Sequence, residues 1–256
     1  AIRDSGLDAP LFITQNDGRV AEAAQARRLP VYSFASGATN SMRGAAYLSG
    51  LADAMVIDVG GTTADVGQLK HGFPREANSV VKIGGVRTLF RMPDLLSIGL
   101  GGGSHVTLDP IKVGPVSVGY RLLKDGIAFG GKQLTTTDVA VAAGVLALGD
   151  KSKVAYLDKA TCDKVFAEAA RLAEEAIDRM KTEAGDVPLI AVGGGAFLVP
   201  DKLPGVSQVI HVEHGDCANA VGAAIAQVAG ECDQIFKDLT RGDAIAAARD
   251  IAHDRA

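Results

Sequence analysis

Three glycine clusters constrain this chain more than any other feature: Asp58 to Asp65 (DVGGTTAD), Gly99 to Ser104 (GLGGGS) and Val192 to Ala196 (VGGGA). Each follows an apolar run rich in β-branched or aliphatic residues, of which Ala54 to Val59 and Pro188 to Val192 are the clearest. A strand that ends on paired glycines turns sharply and lets backbone N–H groups approach a ligand with no Cβ in the way. Amides that converge in such a nest suit phosphate oxygens. Glycine is used heavily throughout, 31 of 256 residues, where an average chain carries about 7%. The position of these glycines behind strands is what makes them informative.

The first cluster carries the most chemistry. Asp58 stands at the strand end, where a carboxylate can hold a hydrated Mg²⁺ beside phosphates. Thr62 and Thr63 offer hydroxyl donors, and Asp65 can orient a water or a metal. The segment is not a Walker A loop, because no Gly-Lys-Ser/Thr follows at the required spacing. It is not a dinucleotide fingerprint either, because a strand rather than a helix is expected next.

Composition narrows the partners. Lys plus Arg total 26 against 30 Asp plus Glu, a net charge of -4. This gives no bulk drive towards nucleic acid or anionic lipid, although a local basic patch can sit within it. The longest apolar stretches, such as Val139 to Leu148, fall well short of the roughly 18–20 residues that span a bilayer. Neither nucleic acid nor a membrane is therefore expected as a partner. The three cysteines, Cys162, Cys217 and Cys232, form no C-x-x-C pair, which fits ordinary thiols in a reducing, cytoplasmic compartment. The opening Ala1-Ile2-Arg3-Asp4 reads as a cut inside a longer protein, and no internal domain boundary is evident across 1–256.

Periodicity predicts an α/β chain. Leu11 to Thr14 reads as a buried strand, Arg19 to Arg28 as an Ala-rich helix stopped by Pro30, Val31 to Phe34 as a second strand and Asn40 to Leu51 as a small-residue helix. Ala54 to Val59, Ala64 to Leu69 and Ser79 to Ile83 predict a three-strand antiparallel meander. Thr137 or Asp138 is the expected N-cap of a helix over Val139 to Leu148. Thr161 to Glu183 is the strongest helical pattern, with Val165, Leu172, Ala176 and Met180 on one face. Strands follow at Pro188 to Val192 and Val206 to Val212, then helices at Ala218 to Gln227 and Asp243 to Arg255.

A strand ending in Asp-x-Gly-Gly-Thr and leading into a hairpin resembles a phosphate loop of the actin, sugar-kinase and Hsp70 ATPase superfamily. More closely, the chain resembles the hydantoinase A/5-oxoprolinase family. The matching segments are Asp58 to Val66, Ile98 to Ser104 (I-G-x-G-G-G-S), Val113 to Ser117 (V-G-P-x-S), Thr135 to Asp138 (T-x-T-D), Gly193 to Gly195 and Ala218 to Ala224 (A-N-A-x-G-A-A). The resemblance implies an actin-like, ribonuclease H-like fold with a mixed sheet flanked by helices. It also implies ATP and Mg²⁺ as cofactors and ATP-dependent opening of a cyclic amide such as hydantoin or 5-oxoproline. Gly60, Gly61, Thr62 and Thr63 match the second phosphate loop, and Gly193, Gly194 and Gly195 match the adenosine-contacting turn. Gly102 and Gly103 are further nucleotide-binding candidates. Asp58 and Asp65 are the catalytic candidates, and Asp58 is the metal ligand.

A superfamily member closes ATP between two lobes, so a first, N-terminal lobe of the same protein is an expected partner, with a small-molecule substrate and a second hydantoinase subunit. Two other readings stay open: a non-catalytic nucleotide-sensing or assembly module, and a small-molecule kinase. Relatives place Ile where His105 stands and an acidic tract where Val118 to Gly131 stands. His105 is a candidate general base. His211, Glu213 and His214 superficially suggest a metal site, although a strand would turn His214 away from the other two.

Overall fold

A computed structural model of the chain describes residues 3–6, 8–77, 82–83, 85–87 and 92–256. The elements begin with β1 (Phe12–Thr14), β2 (Val20–Glu22), α1 (Ala23–Arg28) and α2 (Ser36–Ser49). The strands β3 (Ala54–Val59), β4 (Ala64–Lys70), β5 (Phe73–Pro74), β6 (Lys82–Ile83), β7 (Val86–Arg87), β8 (Leu95–Ile98), β9 (Ser104–Leu108) and β10 (Ile111–Ser117) follow. The last part contains α3 (Leu122–Asp125), α4 (Thr136–Ala143), α5 (Lys159–Met180), β11 (Val187–Val192), β12 (Val206–His211), α6 (Ala218–Ala224) and α7 (Arg241–Asp254).

The main sheet runs β12-β11-β3-β4, with β5 and β8 both pairing with β4. Strands β3, β4 and β8 form the antiparallel meander, and β11 and β12 add in parallel beside β3. The meander's third strand is therefore Leu95–Ile98. Of the expected Ser79 to Ile83 run, residues 79–81 lie outside the described residues, and Lys82–Ile83 pairs only with Val86–Arg87.

Strand alternation divides the core between the two faces of this sheet. Met55, Ile57 and Val59 of β3, Ala64 and Val66 of β4, and Leu189 and Ala191 of β11 share one cluster with α5. That helix contributes Cys162, Val165, Ala169, Ala173, Ala176, Ile177 and Met180 as a buried stripe, starting from an Asp158 cap that accepts from the Thr161 N–H at 2.7 Å. Ala54, Val56, Leu69, Ile190 and Val192 point the other way, onto Met42 and Ala45 of α2. The period of two places Asp58 and Asp65 on this second face. Helix α2 in turn lies against α6 so closely that a Cβ on Gly44 would overlap the Ala218 carbonyl.

Several local expectations are corrected. Val31 to Phe34 is not a strand: Pro30–Ser33 forms a 3-10 turn, held by Asn16, which donates to the Val31 carbonyl at 3.0 Å and accepts from the Ala35 N–H at 2.7 Å. Proline at the first turn position has a φ already suited to that conformation. Phe12–Thr14 is a strand but not a buried one. It pairs only with Val20–Glu22, and Leu11 and Phe12 are more than two-fifths exposed. The Arg19 to Arg28 segment spends its first residues in that hairpin before α1 begins.

The N-cap of α4 is Thr135, two or three residues earlier than the apolar run suggests. Its hydroxyl accepts from the Asp138 N–H at 3.3 Å while the Asp138 carboxylate accepts from the Thr135 N–H at 2.8 Å, a reciprocal capping box. The fully buried Asp138 also accepts from the Ala128 N–H at 2.7 Å. Removing it leaves buried donors with no acceptor, so Asp138→Ala is expected to cost about 2–4 kcal/mol in urea unfolding. A loss under about 0.5 kcal/mol would contradict this cap.

Candidate functional site

The three glycine clusters stack on one another. The Asp58–Asp65 hairpin turn, which joins β3 to β4, is closed by the Gly60 N–H donating to the Thr63 carbonyl at 2.9 Å. On one side lies the Gly101–Ser104 loop. The N–H groups of Gly102 and Gly103 donate to the carbonyls of Gly60 and Gly61 at 3.0 and 2.7 Å, and the Ser117 hydroxyl also donates to Gly61 at 3.2 Å. On the other side the Gly195 N–H donates to the Val59 carbonyl at 2.7 Å.

This packing decides which way the turn's amides face. In a trans peptide the carbonyl and the following N–H point in opposite directions. With the Gly60 and Gly61 carbonyls turned inward, the N–H groups of Gly61 and Thr62 turn outward, and both residues are exposed. The amides of Gly61, Thr62 and Thr63 have no backbone acceptor among the described residues. Gly194 is in the same condition, exposed and with open space where a Cβ would stand. The turn thus presents a row of free donors flanked by the Thr62 and Thr63 hydroxyls.

Its support is layered. The Thr136 and Thr137 hydroxyls at the start of α4 donate to the Gly101 and Gly102 carbonyls at 2.6 and 2.7 Å. A Cβ on Gly101 would lie 2.6 Å from the Thr62 nitrogen and 2.8 Å from the Gly60 oxygen, so only glycine admits that approach. Gly102 and Gly103 are buried and spend their amides on the neighbouring turn. They reach the site by holding Gly60 and Gly61 in place. The T-x-T-D stretch, read from sequence as a helix start and as one of the family's segments, is the outer clamp of the same assembly.

Asp58 and Asp65 are direct cross-strand partners on the α2 face of the sheet. Burial, together with the nearby Asp65 charge, raises the Asp58 carboxyl above its ordinary value, and a hydrogen bond from Ser41 opposes the rise. Ser41 is buried on α2 and accepts from Asn219 Nδ2 at 3.1 Å, which also donates to the Gly37 carbonyl at 2.8 Å. Asp65 is hydrogen-bonded by the Ser97 hydroxyl from β8. Ser41, Ser97 and Asn219 are the members that sequence reasoning missed. Asn219 lies in the A-N-A motif, and that was the available signal.

Asp58 Oδ1 also lies against Gly193, whose φ is +87°. The carboxylate therefore stands where the first and third glycine loops meet, under the outward amides. One carboxylate beside free amides and hydroxyls fits a phosphate-bound Mg²⁺, which keeps most of its ligands as water and phosphate oxygen. No cluster of three or more His, Cys, Asp or Glu able to hold a metal occurs among the described residues. His211 instead faces Asp201, and His214 faces Glu213, each at 3.6 Å. His105 is part-buried away from the carboxylates and lines a separate pocket. Cys217 is an exposed free thiol. No described helix is long and apolar enough to cross a membrane.

The six-stranded mixed sheet, with an antiparallel meander on one side of β3 and two parallel strands on the other, is the mixed α/β arrangement expected of an actin-like fold, and its first hairpin holds the glycine turn. Within that class the chain belongs to the hydantoinase/oxoprolinase family, whose profile it matches over residues 1–187. The fold is shared with nucleotide-free acetone carboxylase, described as carrying out ATP-dependent acetone carboxylation (TM-score 0.66, 20% identity, 99% of this chain and 42% of that one). It is shared also with an ATP-dependent caprolactamase from Pseudomonas jessenii (TM-score 0.61, 20% identity, 99% of this chain and 43% of that one). The chain thus spans less than half the length of either. No curated protein matches it.

Proposed function

We propose that this chain provides a phosphate-gripping loop of an ATP-dependent enzyme that opens a cyclic amide of the hydantoin or 5-oxoproline type. The observation that carries the reading is the pair of outward-facing amides of Gly61 and Thr62, with the Thr63 amide beside them also lacking a backbone acceptor. Donors fixed in place before a ligand arrives stabilise developing phosphoryl charge without reorganisation. The fold shared with an ATP-dependent caprolactamase supports the class of reaction.

In this reading Gly61, Thr62, Thr63 and Gly194 donate to phosphate and nucleotide oxygens. Asp58 holds Mg²⁺, and Asp65 positions a water or a metal-bound ligand. Mg·ATP, when bound, supplies a phosphoryl group for the amide oxygen, which makes the ring carbon open to water. Ser41 and Ser97 keep the two carboxylates aimed at the turn. A first lobe of the same protein closes over the nucleotide, a second hydantoinase subunit is a further partner, and the cytoplasm supplies the ATP.

The test is ADP and phosphate release by the complete protein with Mg·ATP, with and without hydantoin or 5-oxoproline. Release that requires the cyclic amide, together with the ring-opened product, is expected. Release that ignores the amide would favour a nucleotide-driven assembly module. A stable phosphorylated product in the phosphorus NMR spectrum would favour a kinase.

A further inference from the structure

The Val118 to Gly131 tract carries Arg121 and Lys124 against Asp125, a local excess of positive charge in a protein of net charge -4. It forms, with His105 of β9 and the Lys132-Gln133 step, a pocket of about 420 Å³ lined also by Arg121, Lys124, Asp125 and Gly130. Three of these side chains are cationic and one is anionic. Arg121 is already matched, with its Nε 3.0 Å from Asp125 one helical turn on. Lys124 and Lys132 have no ion pair among the described residues.

The frame beneath them is fixed. The Gly131 N–H donates to the Gly126 carbonyl at 2.8 Å and the Gln133 N–H to the Asp125 carbonyl at 2.9 Å, so the loop carrying Lys132 is closed on itself. The pocket is also built onto the phosphate loop. Val118, one of its walls, donates its N–H to the Gly103 carbonyl at 3.0 Å, and Gly103 in turn holds Gly61. A Cβ placed on the next residue, Gly119, would lie 3.7 Å from Thr62 Oγ1.

We propose that this pocket is an anion subsite that seats the carboxylate or phosphate group of the acceptor molecule, with Lys124 and Lys132 as the charge partners and His105 as a hydrogen-bonding wall. Unmatched ammonium groups that share one concave site attract an anion through Coulomb energy that neither provides alone on an open surface. A protein of net charge -4 gains no such attraction from its bulk field. The assignment to the acceptor, rather than to the nucleotide, rests on the reading that Gly61 to Thr63 hold the nucleotide.

The test follows backbone amide NMR signals of this chain while succinate, inorganic phosphate and the neutral diamide succinamide are titrated in. Succinate and phosphate are expected to move the signals of His105, Gly131 and Gln133, and succinamide is not. The double variant Lys124→Glu/Lys132→Glu, with both changes on exposed side chains, is expected to lose about tenfold or more in succinate affinity while its circular dichroism stays unchanged. Equal shifts with succinamide, no shifts, or unchanged affinity in the double variant would overturn the subsite. Repeating the succinate titration with Mg·ATP separates the two sources of anion. Succinate signals that persist place the acceptor there, whereas displacement by Mg·ATP gives the pocket to the nucleotide and overturns the assignment. Failure of the phosphate-loop reading shows separately, as unmoved Gly61 to Thr63 signals on adding Mg·ATP.

Discussion

Gly193→Ala is expected to damage both the stability of this protein and its proposed nucleotide site. Gly193 holds φ at +87°, and a Cβ there would overlap both the Asp58 carboxylate and the Val59 carbonyl. The left-handed backbone alone costs an L-residue about 1–2 kcal/mol. The overlap adds more, because neither neighbour is free to yield. Val59 is fully buried in β3 and its carbonyl already accepts the Gly195 N–H, while Asp58 is held by Ser41. A total loss of about 2–4 kcal/mol follows, or roughly 5–12 °C in melting temperature for a chain of this size. Nucleotide affinity is expected to fall with it, since the displaced atoms are those beneath the amide row. Gly194→Ala provides the contrast: with no atom within 4 Å of its Cβ and no positive φ, it is expected to stay within about 0.5 kcal/mol. Equal melting temperatures for the two variants would contradict the stacked-loop geometry.

Asp58→Asn is expected to separate stability from activity. The Asp58 carboxyl is pushed upward by burial first and by Asp65 second, with Ser41 pulling the other way. A folded-state value above the unfolded one means the native state binds the proton more tightly than the unfolded chain does. Asp58 therefore favours folding most when protonated, and its contribution turns unfavourable as pH rises through its folded value. Ionised, the carboxylate costs stability, so the amide, of the same shape, is expected to melt higher than wild type once pH has risen through the folded value. The advantage is expected to shrink as pH falls towards 4, which thermal unfolding at several pH values would show. The same change removes the charge that holds Mg²⁺ in the proposed reaction, and turnover by the complete protein is expected to fall about 10²–10³-fold. A variant less stable than wild type at neutral pH would show that the carboxylate is held by its partners more than it is penalised by burial.

How much of this was legible in the sequence depends on the range of the interactions. Helix α5 was readable because its stripe of Val165, Ala176 and Met180 repeats locally, and β3 and β11 because fully buried strands leave continuous apolar runs. Val31 to Phe34 misled because its aromatic and β-branched residues favour strands, whereas Asn16, fifteen residues earlier, fixes a turn there. The third meander strand, Leu95–Ile98, is fixed by its pairing with β4, a long-range contact that no local pattern reveals, while residues 79–81 of the expected run lie outside the described residues. The α4 start was missed because a capping box depends on Thr135, a polar residue outside the apolar run. At the site, Asp58, Asp65 and the Gly60–Thr63 turn stood out by chemistry and order. Ser41 could not, since it is ordinary in its own helix and gains meaning only through its bond to Asp58, whereas Asn219 was marked by the A-N-A motif but without a role.

The supporting glycines teach a related point. Gly102 and Gly103 sit in a motif that invites a ligand-binding reading, yet their amides are spent on the carbonyls of Gly60 and Gly61. Their effect on a ligand runs through those carbonyls, because pulling them inward turns the next amides out. In the proposed function, the phosphate loop is in this sense made by the loop beside it.

The most direct test of the central claim is the backbone amide spectrum of this chain titrated with Mg·ADP and Mg·ATP. If the turn grips nucleotide phosphates, the Gly61, Thr62 and Thr63 signals move first and furthest, Gly194 moves with them, and the buried Gly102 and Gly103 signals move little. Signals that stay fixed at Gly61 to Thr63 under saturating nucleotide, while others elsewhere in the chain move, would contradict the account.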